Sequence, residues 1–278
     1  MRDLSADASL LSLNTITVRE KWSLAECIDS CVRHGIGGIS PWRDKLEECG
    51  TDEAARRIAD AGLTVTGLCR GGMFPAADAA GRQGALDDNW RAVDDACTIG
   101  ARCLVLVVGG LPPNSRDIAG ARQQVCDGIA KLLEHSRAAG MPLAIEPLHP
   151  MYAADRACVN TLAQANDICD ELGDDGLGIA VDLYHVWWDP DLAAQITRAG
   201  AKRLLAFHVC DWLVPTTDML LDRGMMGDGV IDIRGIRRLV EAAGYDGFCE
   251  TEILSRRWWA EEPDTVLSTL VERHRTVV

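Results

Sequence analysis

A chain of 278 residues, 47 % apolar and 25 % charged, carries enough apolar material for a sizeable core in one large domain. Its net charge of −14, from 28 basic against 42 acidic residues, repels phosphate backbones and argues against general nucleic-acid binding. No apolar run approaches the ~20 residues that span a bilayer, which excludes a membrane role, and the N-terminal stretch lacks the features of a signal peptide, so a cytoplasmic enzyme with a small substrate is expected.

In chain order, strand-like and helix-like segments alternate. A strand is expected at Leu10–Val18 and a helix at Ser23–His34, then Gly38–Pro41 with Asp52–Ala61, and Leu63–Leu68 with Asn89–Gly100. Cys103–Val108 pairs with Ile118–Ala139, Pro142–Glu146 with Thr161–Leu172, and Leu177–Asp182 with Asp191–Ala199. Leu204–His208 with Ile233–Ala243, and Phe248–Ile253 with Asp264–Val277, complete the series. Glycines at 62, 140 and 244 follow three of the helices, where a left-handed cap is cheap. The strands are apolar almost throughout, as expected when both faces are buried, and alternation with helices implies parallel pairing. Eight such units in about 250 residues suit a single (β/α)8 TIM barrel over residues 1–278. The alternative, an open doubly wound sheet, is weakened because no G-x-G-x-x-G follows the first strand. The glycine-rich stretch 224–229 reads as a loop within the domain. Eleven scattered cysteines, with no C-x-x-C pair, read as reduced thiols serving as small hydrophobes.

Chemistry in such a barrel sits at the C-terminal ends of the strands. The fifth to eighth strands end on Glu146, Asp182, His208 and Glu252. A carboxylate there is costly to bury unless it is paired, hydrogen-bonded or bound to a cation. Any one of the four alone is more often a cap, a salt-bridge partner or a satisfied core residue. On four successive strands they read as ligands for one divalent metal, Mn2+ or Mg2+ first, with Co2+ or Zn2+ also suited. Glu250 has the same strand parity as Glu252 and is its rival, but Glu252 lies nearer the catalytic rim. Around these four stand His149, His185, Arg156 and Arg223, each able to bind or protonate sugar oxygens or to lie idle at the surface. Tryptophans gather after the strands, among them Trp42 and Trp258, and could stack on a sugar or simply cap the barrel.

These residues resemble those of the xylose-isomerase-like TIM-barrel superfamily of sugar isomerases and epimerases. The resemblance spans essentially the whole chain and is strongest from Pro142 to Leu254. Its pieces are IleGluProLeu (145–148), ValAspLeuTyrHis (181–185), PheHisValCysAsp (207–211), MetGlyAspGlyValIleAsp (226–232) and GlyTyrAspGlyPheCysGluThrGlu (244–252). It implies that Glu146, Asp182, His208 and Glu252 bind one divalent metal, often Mn2+. It also implies that Glu146 and Glu252 act as acid–base groups on opposite faces of a ketose, and that His185 and Arg223 contact substrate oxygens. One departure stands out. His149 takes the place of an Asn typical of ketose epimerases, and residues 146–156 resemble a branch that includes the catalytic subunits of C-glycoside deglycosidases. Those subunits act on 3-oxo-glucosides by elimination, with a metal and a histidine base, beside a small partner subunit.

The first expectation is therefore a metal-dependent enzyme that removes a proton next to the carbonyl of a keto-sugar, an isomerase or epimerase. The second is a lyase that cleaves a 3-oxo-glycoside with His149 as base. The third is a non-catalytic sugar-binding barrel. An abasic-site endonuclease of the related barrel would need a histidine-rich multi-metal cluster, whereas His34, His135 and His274, half of the six histidines, fall in helices. The expected partners are a carbohydrate and either a second copy of the chain or a small partner subunit.

Overall fold

The apolar runs pair side by side in the computed structural model, which describes residues 2–278. All neighbours in the ring are parallel. In order they are Leu11–Asn14, Gly38–Ser40, the split third strand Thr64–Val65 and Leu68–Gly72, Leu104–Val107, Leu143–Ile145, Leu177–Asp182, Leu204–Val209 and Cys249–Thr251. The first pairs with the eighth in the register Leu11↔Cys249, which closes the barrel on that side. Between the second and third strands the seam is carried across the split by Thr66 N–H to Ile39 O at 2.9 Å and Cys69 N–H to Pro41 O at 3.1 Å. The (β/α)8 expectation is met.

Local chemistry explains most boundaries. Ser23 and Glu26 form a reciprocal capping box before the helix Leu24–His34, and Gly35 ends it at φ 67°. The helix Ile118–Ala139 starts where Asp117 accepts the Gly120 N–H and stops at Gly140, φ 71°. It packs Ile129, Leu132 and Leu133 into the core, each fully buried apolar side chain contributing about 1.5–3 kcal/mol.

Three expectations need correction. The first strand stops at Asn14, because the Asn14 side chain accepts the Ile16 N–H and starts a 3-10 turn, Thr15–Val18. The third strand runs past Leu68 to Gly72, with a register shift between Cys69 and Gly71. The helix after it begins at Ala79, ten residues earlier than the pattern suggested, because Asp78 caps it through the Gly81 N–H. From that helix Asn89 reaches back to Gly72, donating to its carbonyl at 2.7 Å and accepting from its amide at 2.6 Å. A Cβ on Gly71 would lie 2.6 Å from Asn89 Oδ1, so the close approach needs glycine there.

All eleven cysteines are free thiols and most are buried. Burial pushes Cys27, Cys103 and Cys249 up to about 12, which leaves them poor nucleophiles. Among the described residues no helix is long and apolar enough to cross a membrane.

One buried group sets an acid limit. His274, in the C-terminal helix Pro263–Thr276, is fully buried, and neither ring nitrogen has a hydrogen-bond partner among the described residues. Burial, with the Arg237 charge adding, lowers it to about 4. The unfolded chain, titrating near 6.5, then binds more protons than the folded one between about pH 4 and 6.5. Stability is therefore lost as pH falls through that window, by roughly 2–3 kcal/mol between pH 7 and 4.5. Urea melts of the parent and of His274→Met at both pH values check this. An equal pH effect in the two proteins would remove His274 as the cause.

Candidate metal centre and substrate cavity

The strand ends deliver Glu146, Asp182, His208 and Glu252 to one point. One ligand atom from each lies within 4.8 Å of all the others, and all four residues are buried. The pleat does this: Ala144, Ala180 and Ala206, two residues before three of these groups, are also buried and form a small inner cluster with Cys103 and Val105. Small side chains below leave room for polar ones above. His208 Nδ1 stands 3.0 Å from Glu146 Oε1 and 3.8 Å from Glu252 Oε2.

Arg223 supplies the nearest counter-charge. Its Nη1 donates to Asp182 Oδ2 at 2.8 Å and to Glu252 Oε2 at 3.1 Å, and its guanidinium lies 4.5 Å from the centroid of the Tyr184 ring. Burial alone would raise Asp182. Arg223, with His185 and His208, overcomes it and holds the carboxyl below the usual range. Glu252 goes the other way, up to about 8, because burial and the neighbouring Glu146 and Asp182 outweigh Arg223. His208 is raised despite its burial by Glu250, Glu146 and Glu252. Burial lowers His185 to about 3, so its imidazole is neutral at physiological pH. Its Nε2 lies 3.0 Å from Arg223 Nη2 and its Nδ1 3.2 Å from the His149 amide nitrogen.

Three buried carboxylates and an imidazole converge here. Such a set is rich in oxygen donors, so it fits a divalent cation of the hard to borderline kind.

Above the cluster opens a narrow cavity. Of the expected residues, Glu146, Glu252, His185, Arg223, Arg156 and Trp42 line it. Two do not. Trp258 is buried in the short helix Arg256–Ala260, where Arg257 covers its ring. His149 stacks on Trp212 at 5.1 Å and meets the edge of Trp188 at 5.5 Å, while its Nδ1 accepts the Met151 N–H. Cys69, Arg70, Tyr152 and Leu220 also line the cavity and were not singled out by the sequence. Arg70 makes no ion pair or hydrogen bond among the described residues.

The segment after the seventh strand covers one side. Asp211 accepts the amides of Gly227, Gly229 and Ile231, which folds the glycine-rich stretch against the barrel. Arg223–Gly224 pairs antiparallel with Asp211–Trp212, and this ribbon fixes the backbone of Arg223. Farther out, the Tyr152 and Tyr184 hydroxyls both donate to Met219 O, at 2.6 and 2.9 Å, and hold the strap that brings Leu220 to the cavity.

Known proteins share this fold. A family model described as "Xylose isomerase-like TIM barrel" matches residues 28–273. An inosose isomerase of Bacillus velezensis is 21 % identical over 279 residues, covering 96 % of this chain and 96 % of that protein. The crystal structure of protein SMc04130 from Sinorhizobium meliloti 1021 superposes with a TM-score of 0.96 at 60 % identity, over 98 % of this chain and 99 % of that one. The IolI protein, solved with a bound zinc atom, superposes with a TM-score of 0.80 at 18 % identity, over 95 % of each chain. With barrel, strand-end cluster and family match in agreement, this chain belongs to the xylose isomerase-like TIM barrel family.

Proposed function

We propose that this protein is a divalent-metal-dependent isomerase or epimerase that moves a proton next to the carbonyl of a keto-sugar or keto-cyclitol. The observation that carries the reading is the pair Glu146 and Glu252, two buried carboxylates of one candidate metal cluster that also line the cavity above it. The inosose isomerase relative and the zinc-bound IolI structure support it.

A cation held by Glu146, Asp182, His208 and Glu252 would supply Lewis-acid stabilisation of the negative charge that develops on substrate oxygen. The chain's own groups do the rest. One of Glu146 and Glu252 takes the proton, and the other returns one from the opposite side. Arg223 and the neutral His185 present hydrogen-bonding groups to substrate hydroxyls. Trp42 offers a flat apolar face at the rim, and Arg70 and Arg156 offer donors. Tyr152 and the Met219 strap keep water from one side. We assign proton abstraction to the carboxylates rather than to His149, whose ring is engaged with Trp188 and Trp212.

Stripping the protein with EDTA should lower turnover of an inosose or ketose panel at least about 100-fold, and Mn2+, Co2+, Mg2+ or Zn2+ should restore it. Product stereochemistry separates epimerisation from isomerisation. Full activity after complete removal of metal would sink the metal-dependent reading, and binding without turnover on every substrate would favour a sugar-binding barrel.

A further inference from the structure

The inner layer beneath the cluster has one anomaly. Two residues before the ligand, the fifth, sixth and seventh strands carry Ala144, Ala180 and Ala206, whereas the eighth carries Glu250. An alanine there needs no partner, but a carboxylate only 1 % exposed needs several. Glu250 has them from the first and third strands. Asn14 Nδ2 donates to its Oε1 at 2.8 Å, and Thr66 Oγ1 donates to its Oε2 at 2.7 Å. The Ser12 hydroxyl, 2.7 Å from Thr66 Oγ1, extends the chain of hydrogen bonds. Both carboxylate oxygens are thus fixed from outside the eighth strand.

The remaining neighbour is His208. Its Nε2 lies 3.5 Å from Glu250 Oε1, and this buried nitrogen has no hydrogen-bond partner among the described residues. Its Nδ1, on the other side of the ring, faces Glu146 and Glu252. Glu250 therefore meets the histidine across the imidazole from the cluster, which sets it apart from the ligands.

We propose that Glu250 is a positioning residue: held by Asn14 and Thr66, its carboxylate accepts the Nε2–H of His208 and keeps the Nδ1 lone pair turned toward the cluster. A neutral imidazole carries one N–H, so an acceptor at Nε2 selects the tautomer that leaves Nδ1 free for a cation. A shift of about 0.5 Å brings the contact to normal hydrogen-bond length. The inference rests on reading the cluster as a metal site.

The test uses the full-length protein, stripped and then loaded with cadmium-113, with 15N-labelled histidine. The expected spectrum couples cadmium to Nδ1 of His208 and leaves Nε2 protonated. Glu250→Leu removes the acceptor at similar size and should weaken Mn2+ and Cd2+ binding about 10–100-fold by titration calorimetry. Glu250→Gln keeps an acceptor oxygen and should recover part of that loss, and it carries the test if the leucine variant fails to fold. Coupling to Nε2, or affinities in the folded variants within about two-fold of the parent, would overturn this inference alone. A parent that takes up no divalent ion would overturn the metal reading with it.

Discussion

Arg223→Met should cost the EDTA-stripped protein about 3–5 kcal/mol of stability, because it leaves buried carboxylates without their counter-charge. The guanidinium now touches Asp182 Oδ2 and Glu252 Oε2, with both partners nearly inaccessible to water. The same two oxygens belong to residues of the candidate metal cluster. A divalent cation and Arg223 thus compete for one pair of carboxylates, and the variant should bind Mn2+ more tightly while it unfolds more readily without it. Saturating Mn2+ should recover most of the loss, since a ligand that binds only the folded state stabilises it by mass action. Acid dependence gives a further check. Asp182 is depressed in the folded state, so its contribution is present above the unfolded carboxyl range and lost as pH falls below it. That loss should shrink in Arg223→Met. Urea melts in EDTA and in Mn2+ decide the matter, and a stripped variant within about 1 kcal/mol of the parent would rule out the pairing as a main support.

Glu146→Gln and Glu252→Gln should each lower kcat by about 10²–10⁴, the usual contribution of a positioned acid or base. Glutamine keeps an oxygen donor for the cation, so metal content is measured beside turnover to separate lost ligation from lost proton transfer. The double variant should be little worse than the poorer single one, since groups that act as a unit lose their effect together. Exchange of substrate hydrogen in D2O gives each carboxylate its own signature. A variant that retains the base on one face should still wash deuterium into the substrate while forming little product. Turnover of both single variants within ten-fold of the parent would remove the carboxylate pair from the mechanism.

The cluster of Glu146, Asp182, His208 and Glu252 was legible in the sequence because burying an ionisable group at the end of an apolar strand is costly, and four such costs in succession need a common cause. Leu177–Asp182 and Ile118–Ala139 were legible to their end residues, since pattern and caps agree there. Glu250 and Glu252 share a face, and nearness to the rim rather than parity chose Glu252, the one that reaches the cluster. Arg70 and Cys69 were missed because the expected strand stops at Leu68, while the strand in fact continues to Gly72 with a shifted register. Tyr152 and Leu220 reach the cavity through loop folding, which leaves no periodicity to detect. Trp258 and His149 lie outside the cavity lining, since nearness to a strand end does not say which way a ring turns.

The split third strand gives the barrel two walls of unequal stiffness. On the side of the carboxylates and His208, adjacent strands stay paired up to Asp182↔His208 and Glu250↔His208, with one register shift between Ile179 and Ala180. On the opposite side, the ladder between the second and third strands breaks at Thr66–Gly67, and Trp42 and Cys69 stand just beyond that break. Hydrogen exchange should therefore begin at the Gly67 amide, which the ladder skips, before those of 180–182 and 206–209, the pattern of a structure that opens locally where its pairing is thinnest. The consequence is a division of labour between tolerance and accuracy: the rim can give way to ligands of different girth while the reacting groups stay in register.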